Sequence, residues 1–183
     1  MDETFLLREL STPIGKNAAS KLAGQSLNLV EELFTLCLSS SYELAFRASW
    51  VLELLADKFP GHFNEHLDSF FSTYTKLKNQ SCQRHFTKIL MTMTTNHSKF
   101  DKILNINSQA IVEITFEWLV DPHTPVAVKV NCMDILYNLR RKEDWIEEEL
   151  RSQIEFQLRK GSAALHSRGN KILNKLDQGL KKY

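Results

Sequence analysis

Apolar residues recur at three- and four-residue intervals along almost the whole chain, and the runs are broken only by short stretches that helix capping explains. A segment of this kind hides one face only, so it folds against similar neighbours. Leu27, Val30, Leu33, Phe34, Cys37 and Leu38 form one such stripe, with Asn28, Glu31 and Glu32 on the other side. Between Tyr42 and Phe59, Leu44, Ala45, Ala48, Trp50, Val51, Leu52, Leu54 and Leu55 cover more than half of the helix circumference. That width predicts a central helix covered on two sides. Ser40 and Glu43 are spelled as the capping box that opens it, and Pro60-Gly61 ends it. Further helices are predicted over 2–10, 16–23, from Ser26 onward, and over 63–78, 81–95, 108–120, 125–141, 145–159 and 162–178, the last less apolar, as suits a terminal cap. Gly24 reads as a left-handed helix end, Asn79-Gln80 as a hairpin turn, 96–107 as a longer connection and Gly161 as a helix stop. Thr124 reads as an N-cap with Pro125 at the first helical position, and Asp144 repeats the capping logic. Four prolines and six glycines are too few turn formers for a many-stranded sheet. The prediction is an all-α chain of stacked antiparallel helix pairs forming one domain over 1–183. A chain of this length buries roughly 70% of its unfolded surface without a disulfide or metal staple.

Second helices of these pairs recur at about forty-residue steps, which is the period of a helical solenoid. Asp121-Pro122, then Pro125-Val126-Ala127-Val128-Lys129-Val130-Asn131-Cys132 and Leu136, resembles the second helix of a HEAT repeat, with Lys129 where the pattern has Arg and Cys132 at its small position. Phe46-Arg47 with Trp50 and Leu54 shows the same register, and Gln83-Arg84 with Thr87 and Met91, and Leu165-His166 with Gly169 and Leu173, are weaker copies. The resemblance implies a right-handed α-α superhelix of HEAT or armadillo type. From about Ser41 onward, Ala48-Ser49-Trp50-Val51-Leu52-Glu53, His66-Leu67-Asp68, Glu117-Trp118-Leu119, Ala127 with Lys129, and Asp144-Trp145-Ile146 also resemble a group of small HEAT-like bacterial proteins, typical of Bacteroidetes. That group is often labelled adenylosuccinate lyase. The serine-bearing signature loop of such lyases has no counterpart here, so no lyase activity is carried over.

Chemistry-bearing patterns are sparse. His62-Phe63-Asn64-Glu65-His66 fits H-x-x-E-H, in which two histidines one turn apart hold zinc and the glutamate acts as base. Its place at a helix start just after Pro60-Gly61 favours a solvent-exposed turn instead. His97, His123 and His166 are isolated in loops or on polar faces. No nucleophile elbow, phosphate loop or dinucleotide fingerprint occurs, so neither catalytic, cofactor-binding nor metal residues are assigned. Cys37, Cys82 and Cys132 are odd in number and sit among apolar residues, as buried free thiols of a reducing compartment do. The N-terminus has no basic, apolar leader, and no apolar run is long enough to cross a membrane, so a cytoplasmic protein is expected.

A net charge of +1 gives no whole-molecule pull toward nucleic acid or an anionic membrane. Locally, the stretch from Glu143 to Glu155 is mostly acidic, whereas Arg159, Lys160, Arg168, Lys171, Lys175, Lys181 and Lys182 face only Asp177. Trp50, Trp118 and Trp145 fall on apolar stripes, Trp145 being the one expected to be partly exposed. The expected function is therefore a non-enzymatic binding scaffold without cofactor, recognising a protein or peptide on a second-helix face lined by Arg47, Arg84 and Lys129, with Trp145 and Arg168 as further contact residues. The alternative is a nucleic-acid-binding module of the same architecture, like the HEAT-like DNA-alkylation-repair proteins, whose concave surface holds the duplex. A lyase is the third reading.

Overall fold

The computed structural model describes residues 3–95, 100 and 108–180, and every regular element among them is helical. The chain forms two compact units, Met1–Ile106 and Asn107–Tyr183. The connection predicted over 96–107 lies, apart from Phe100, outside the described residues. No helix among them is long and apolar enough to cross a membrane.

The first unit contains α1 (Glu3–Ser11), α2 (Lys16–Gln25), α3 (Val30–Cys37), α4 (Tyr42–Lys58), α5 (Pro60–Phe63), α6 (Leu67–Tyr74) and α7 (Gln80–Thr95), with single 3-10 turns at Leu27–Leu29 and Asn64–His66. As its wide apolar arc predicts, α4 is central: it packs on α1, α2, α3, α5 and α7, and Ala45, Ala48, Val51, Leu52 and Leu55 are fully buried. Phe34, Phe63, Phe70 and Phe86 join α3, α5, α6 and α7 in one ring cluster with centroid separations of 5.3 to 6.3 Å. The second unit contains α8 (Gln109–Val120), α9 (Val126–Leu139), α10 (Asp144–Leu158) and α11 (Ala163–Leu180), with α9 packed on α8, α10 and α11. Across short connections α3 packs on α4 and α8 on α9. The second helices then lie side by side, α4 on α7 and α9 on α11.

The boundaries correct several expectations. Gly24 does not end α2 in a left-handed turn, for no glycine among the described residues has positive φ. The helix continues to Gln25, and the buried Ser26 hydroxyl donates to Leu22 O at 2.8 Å to make the turn. The N-cap of α4 is Ser41, whose Oγ accepts the Leu44 N–H, because Ser39 Oγ takes the Ser41 N–H and leaves Ser41 as the last extended residue. The helix predicted from 63 starts at Pro60, which suits a first helical position, and ends at Tyr74. Asn79 Oδ1 accepts the N–H groups of Ser81 and Cys82 at the start of α7. Pro125 is the extended N-cap of α9, while Thr124 is buried in the turn that Asp121 shapes by accepting the His123 N–H at 2.9 Å. Asp144 is the first residue of α10 and not its cap; Glu143 holds that place. Gly161 follows α10 for a steric reason, since a Cβ there would lie 2.7 Å from Gln157 O.

Candidate functional site

On α4, Phe46, Trp50 and Glu53 stand at i, i+4 and i+7, so they share one stripe. The rings of Phe46 and Trp50 stack with centroids 6.3 Å apart, and Phe46 also packs on His85 of α7 at 5.3 Å. His85 Nδ1 donates to Glu53 Oε2 at 2.6 Å, and Lys88 Nζ, one turn further along α7, donates to Glu53 Oε1. Both oxygens of one carboxylate thus tie α4 to α7. Beside this lock is a cavity of about 350 Å³ with Trp50, Leu54, Ile89 and Phe100 as apolar wall and Lys16, Glu53, Asp57 and Lys88 as charged lining.

Burial by itself would raise the Glu53 carboxyl, but the hydrogen bonds from His85 and Lys88 and their charges outweigh it and leave the group below its ordinary value of 4.5. A carboxyl held lower in the folded than in the unfolded state adds stability above the unfolded value and gives it up as pH falls through the folded one. In urea titrations, the stability gap between wild type and Glu53→Gln is therefore expected to shrink as pH is lowered from roughly 6 toward 3. A gap that stays constant over that range would remove Glu53 from this role.

In the second unit, Asp134 of α9 is only 14% exposed and Arg168 Nη1 of α11 lies 2.9 Å from its Oδ2. Burial raises the Asp134 carboxyl, and Arg168, Lys175 and Lys171 work against that rise. One turn further along α9 the Tyr137 ring is flanked by two cations, Arg140 Cζ at 4.0 Å and Lys175 Nζ at 5.0 Å from its centroid.

The residues singled out from sequence take different places. Arg47 Nη1 donates to Leu10 O at 2.8 Å and to Ser11 O at 3.2 Å, closing the C-terminal end of α1. Arg84 is exposed on α7. Lys129 is 6% exposed; its ammonium, whose pKa burial draws down, donates to Gln157 Oε1 at 3.4 Å. Gln157 in turn donates to Leu119 O at 3.0 Å, so this set joins α8, α9 and α10. Trp145 is 45% exposed, with its ring 5.5 Å from Phe116, whereas Trp118 is buried and Trp50 half-buried. Arg168 alone of the five enters a charged cluster.

The histidines of the H-x-x-E-H pattern are not a solvent-exposed turn. His62 Nε2 donates to Leu27 O at 2.7 Å, and His66 Nδ1 lies 2.7 Å from Glu31 Oε1, whose partner oxygen accepts from Ser69 at 2.6 Å. These bonds fasten the Pro60 segment to the start of α3. Burial works to raise the Glu31 carboxyl, but the hydrogen bonds from Ser69 and His66, with the His66 charge, bring it below its usual value. No group of three His, Cys, Asp or Glu side chains that could hold a metal occurs among the described residues. His123 and His166 are exposed, and His97 lies outside the described residues. All three cysteines are free and buried, and burial pushes their thiols up, away from the reactive thiolate.

Sequence reasoning missed Phe46, His85 and Tyr137. The i, i+4, i+7 stripe on α4 was a readable signal, but nothing in the sequence says that Glu53 meets His85.

A family model described as HEAT repeat domain matches residues 6–176. The chain belongs to this family. No curated protein shows significant similarity to it. As a HEAT repeat domain the chain is a helical-repeat scaffold of the α-α superhelix class, and α3 with α4, α8 with α9 and α10 with α11 pack as sequence-adjacent pairs.

Proposed function

We propose that this HEAT repeat domain is a non-enzymatic cytoplasmic binding module, its two units serving as one domain, that recognises a protein or peptide partner on the faces of its second helices. The observation that carries the reading is the recess beside α4 and α7, where a half-buried tryptophan stands among apolar residues and is rimmed by charges of both signs. Apolar concavities with a few fixed polar groups are where ligands are held, and a tryptophan in such a place is a typical binding hot spot. The nucleic-acid alternative needs a run of free cations, and the engagement of Arg47 and the burial of Lys129 favour the peptide reading over it.

Selection from a random dodecapeptide display library on the full chain tests this. Peptides that bind in solution are expected, and Trp50→Ala is expected to weaken the cavity-directed ones by roughly tenfold or more with the helical circular dichroism unchanged. If no peptide is enriched while duplex DNA binds with a steep salt dependence, the module is a nucleic-acid binder. Turnover of adenylosuccinate by the purified chain would overturn the non-enzymatic reading.

A further inference from the structure

Arg168, Lys171 and Lys175 of α11 stand at i, i+3 and i+7, so all three project along one stripe about 10 Å long. Among the described residues the acid that answers them is Asp134, which is 14% exposed and engaged by Arg168. The exposed ammonium groups of Lys171 and Lys175 have no hydrogen bond or ion pair within van der Waals reach among the described residues; Lys175 instead lies 5.0 Å over the Tyr137 ring. Arg140 also lies over Tyr137, 4.0 Å from its centroid, anchored by its bond to Tyr137 O at 2.7 Å and by Glu147 Oε2 at 3.6 Å. The result is a short cationic stripe beside an aromatic ring, with the neighbouring acid Asp134 already occupied.

We infer that this α9–α11 face is the docking surface for an acidic peptide segment of a protein partner, an assignment that rests on the binding-module reading above and adds the chemistry of the ligand. Carboxylates two residues apart on an extended strand are about 6.6 Å from each other, close to the rise of about 6 Å between Lys171 and Lys175, so two such groups meet both ammoniums. An apolar side chain nearby on the same segment finds the Tyr137 ring. A nucleic acid fits this face less well: in the 480 Å³ recess that begins at Arg140, the acids Asp144, Glu147 and Glu148 are mixed with Arg140, Arg141 and Arg151, so no unbroken run of cations carries the stripe onward for a phosphate backbone. A short acidic segment needs no such run.

The test uses the full chain and three fluorescein-labelled probes: a decapeptide in which Glu and Leu alternate, the same peptide with Gln replacing Glu, and a twelve-nucleotide oligo-dT. Anisotropy is expected to show binding of the Glu peptide and little of the Gln peptide. Lys171→Glu/Lys175→Glu is expected to weaken the Glu peptide roughly tenfold or more, while the equally charged control Lys21→Glu/Lys78→Glu in the first unit stays within about twofold. If charge reversal loosens α11, as circular dichroism would show, Lys171→Gln/Lys175→Gln carries the test with an expected loss of roughly fivefold. Equal losses in both charge-reversed proteins, or tighter binding of oligo-dT than of the Glu peptide, overturn the inference. Should the display selection yield only neutral or basic peptides, this assignment falls while the binding-module reading stands; should it yield none, both fall.

Discussion

Replacing Phe86 by Ala is expected to destabilise the first unit by about 3–5 kcal/mol, the range for emptying an aromatic site in a packed core. Phe86 is fully buried, lies face to face with Phe70 at 5.3 Å and an interplanar angle of 7°, and meets Phe34 edge-on at 6.3 Å. Removing it strips contacts from α3 and α6 together, and neither helix can close the gap without leaving its other neighbours. Segment-resolved hydrogen exchange measures the effect unit by unit: protection should fall across α3, α6 and α7. Because α7 carries His85 and Lys88, the variant should also lose the peptides selected on the α4–α7 recess. A loss below about 1 kcal/mol would mean that the ring cluster is not the organising core of this unit.

The second large effect is expected at Gly169. A Cβ at this buried position would lie 2.9 Å from Ile154 Cγ2 and 3.0 Å from Leu158 Cδ2, so α11 rests on α10 through the bare glycine. Gly169→Val should cost about 3 kcal/mol, at the upper end of core overpacking, because a branched side chain must push the two helices apart. Gly169→Ala sets a helix-propensity gain of about 1 kcal/mol against a smaller overlap, and should lose only part of that stability. Gly24 in α2 supplies the contrast. Its Cβ would meet only Phe59 Cζ at an ordinary 3.9 Å, so Gly24→Ala should stabilise by about 0.5–1 kcal/mol. Urea unfolding of the three variants checks the order, and a Gly169→Val protein as stable as wild type would show that the helix contact is loose.

The same glycines show where sequence reasoning stops. Gly24 and Gly161 stand at ends of apolar periodicity and read as helix stops, yet what matters at Gly161 is a carbonyl oxygen of α10, and what matters at Gly169 is a pair of branched side chains. Caps failed in a similar way. Ser39, Ser40 and Ser41 offer the same hydroxyl, and the choice of Ser41 depends on the turn that precedes it. Arg47 and Lys129 sit in the basic register of the repeat, but the carbonyl groups that hold Arg47 are 37 and 36 residues away and the amide that meets Lys129 is 28 residues away. No periodicity encodes partners at such separations.

The helices themselves, their pairing and the central place of α4 follow from the order of residues alone, because an amphipathic stripe is written locally and water penalises its exposure at every turn. Which charged groups are consumed inside the fold and which remain to meet a partner was decided only in three dimensions. Desolvation and hydrogen-bond geometry act between side chains that packing, and not sequence neighbourhood, brings together. Glu53 with His85 and Lys88, and Tyr137 beneath Lys175, are products of that packing.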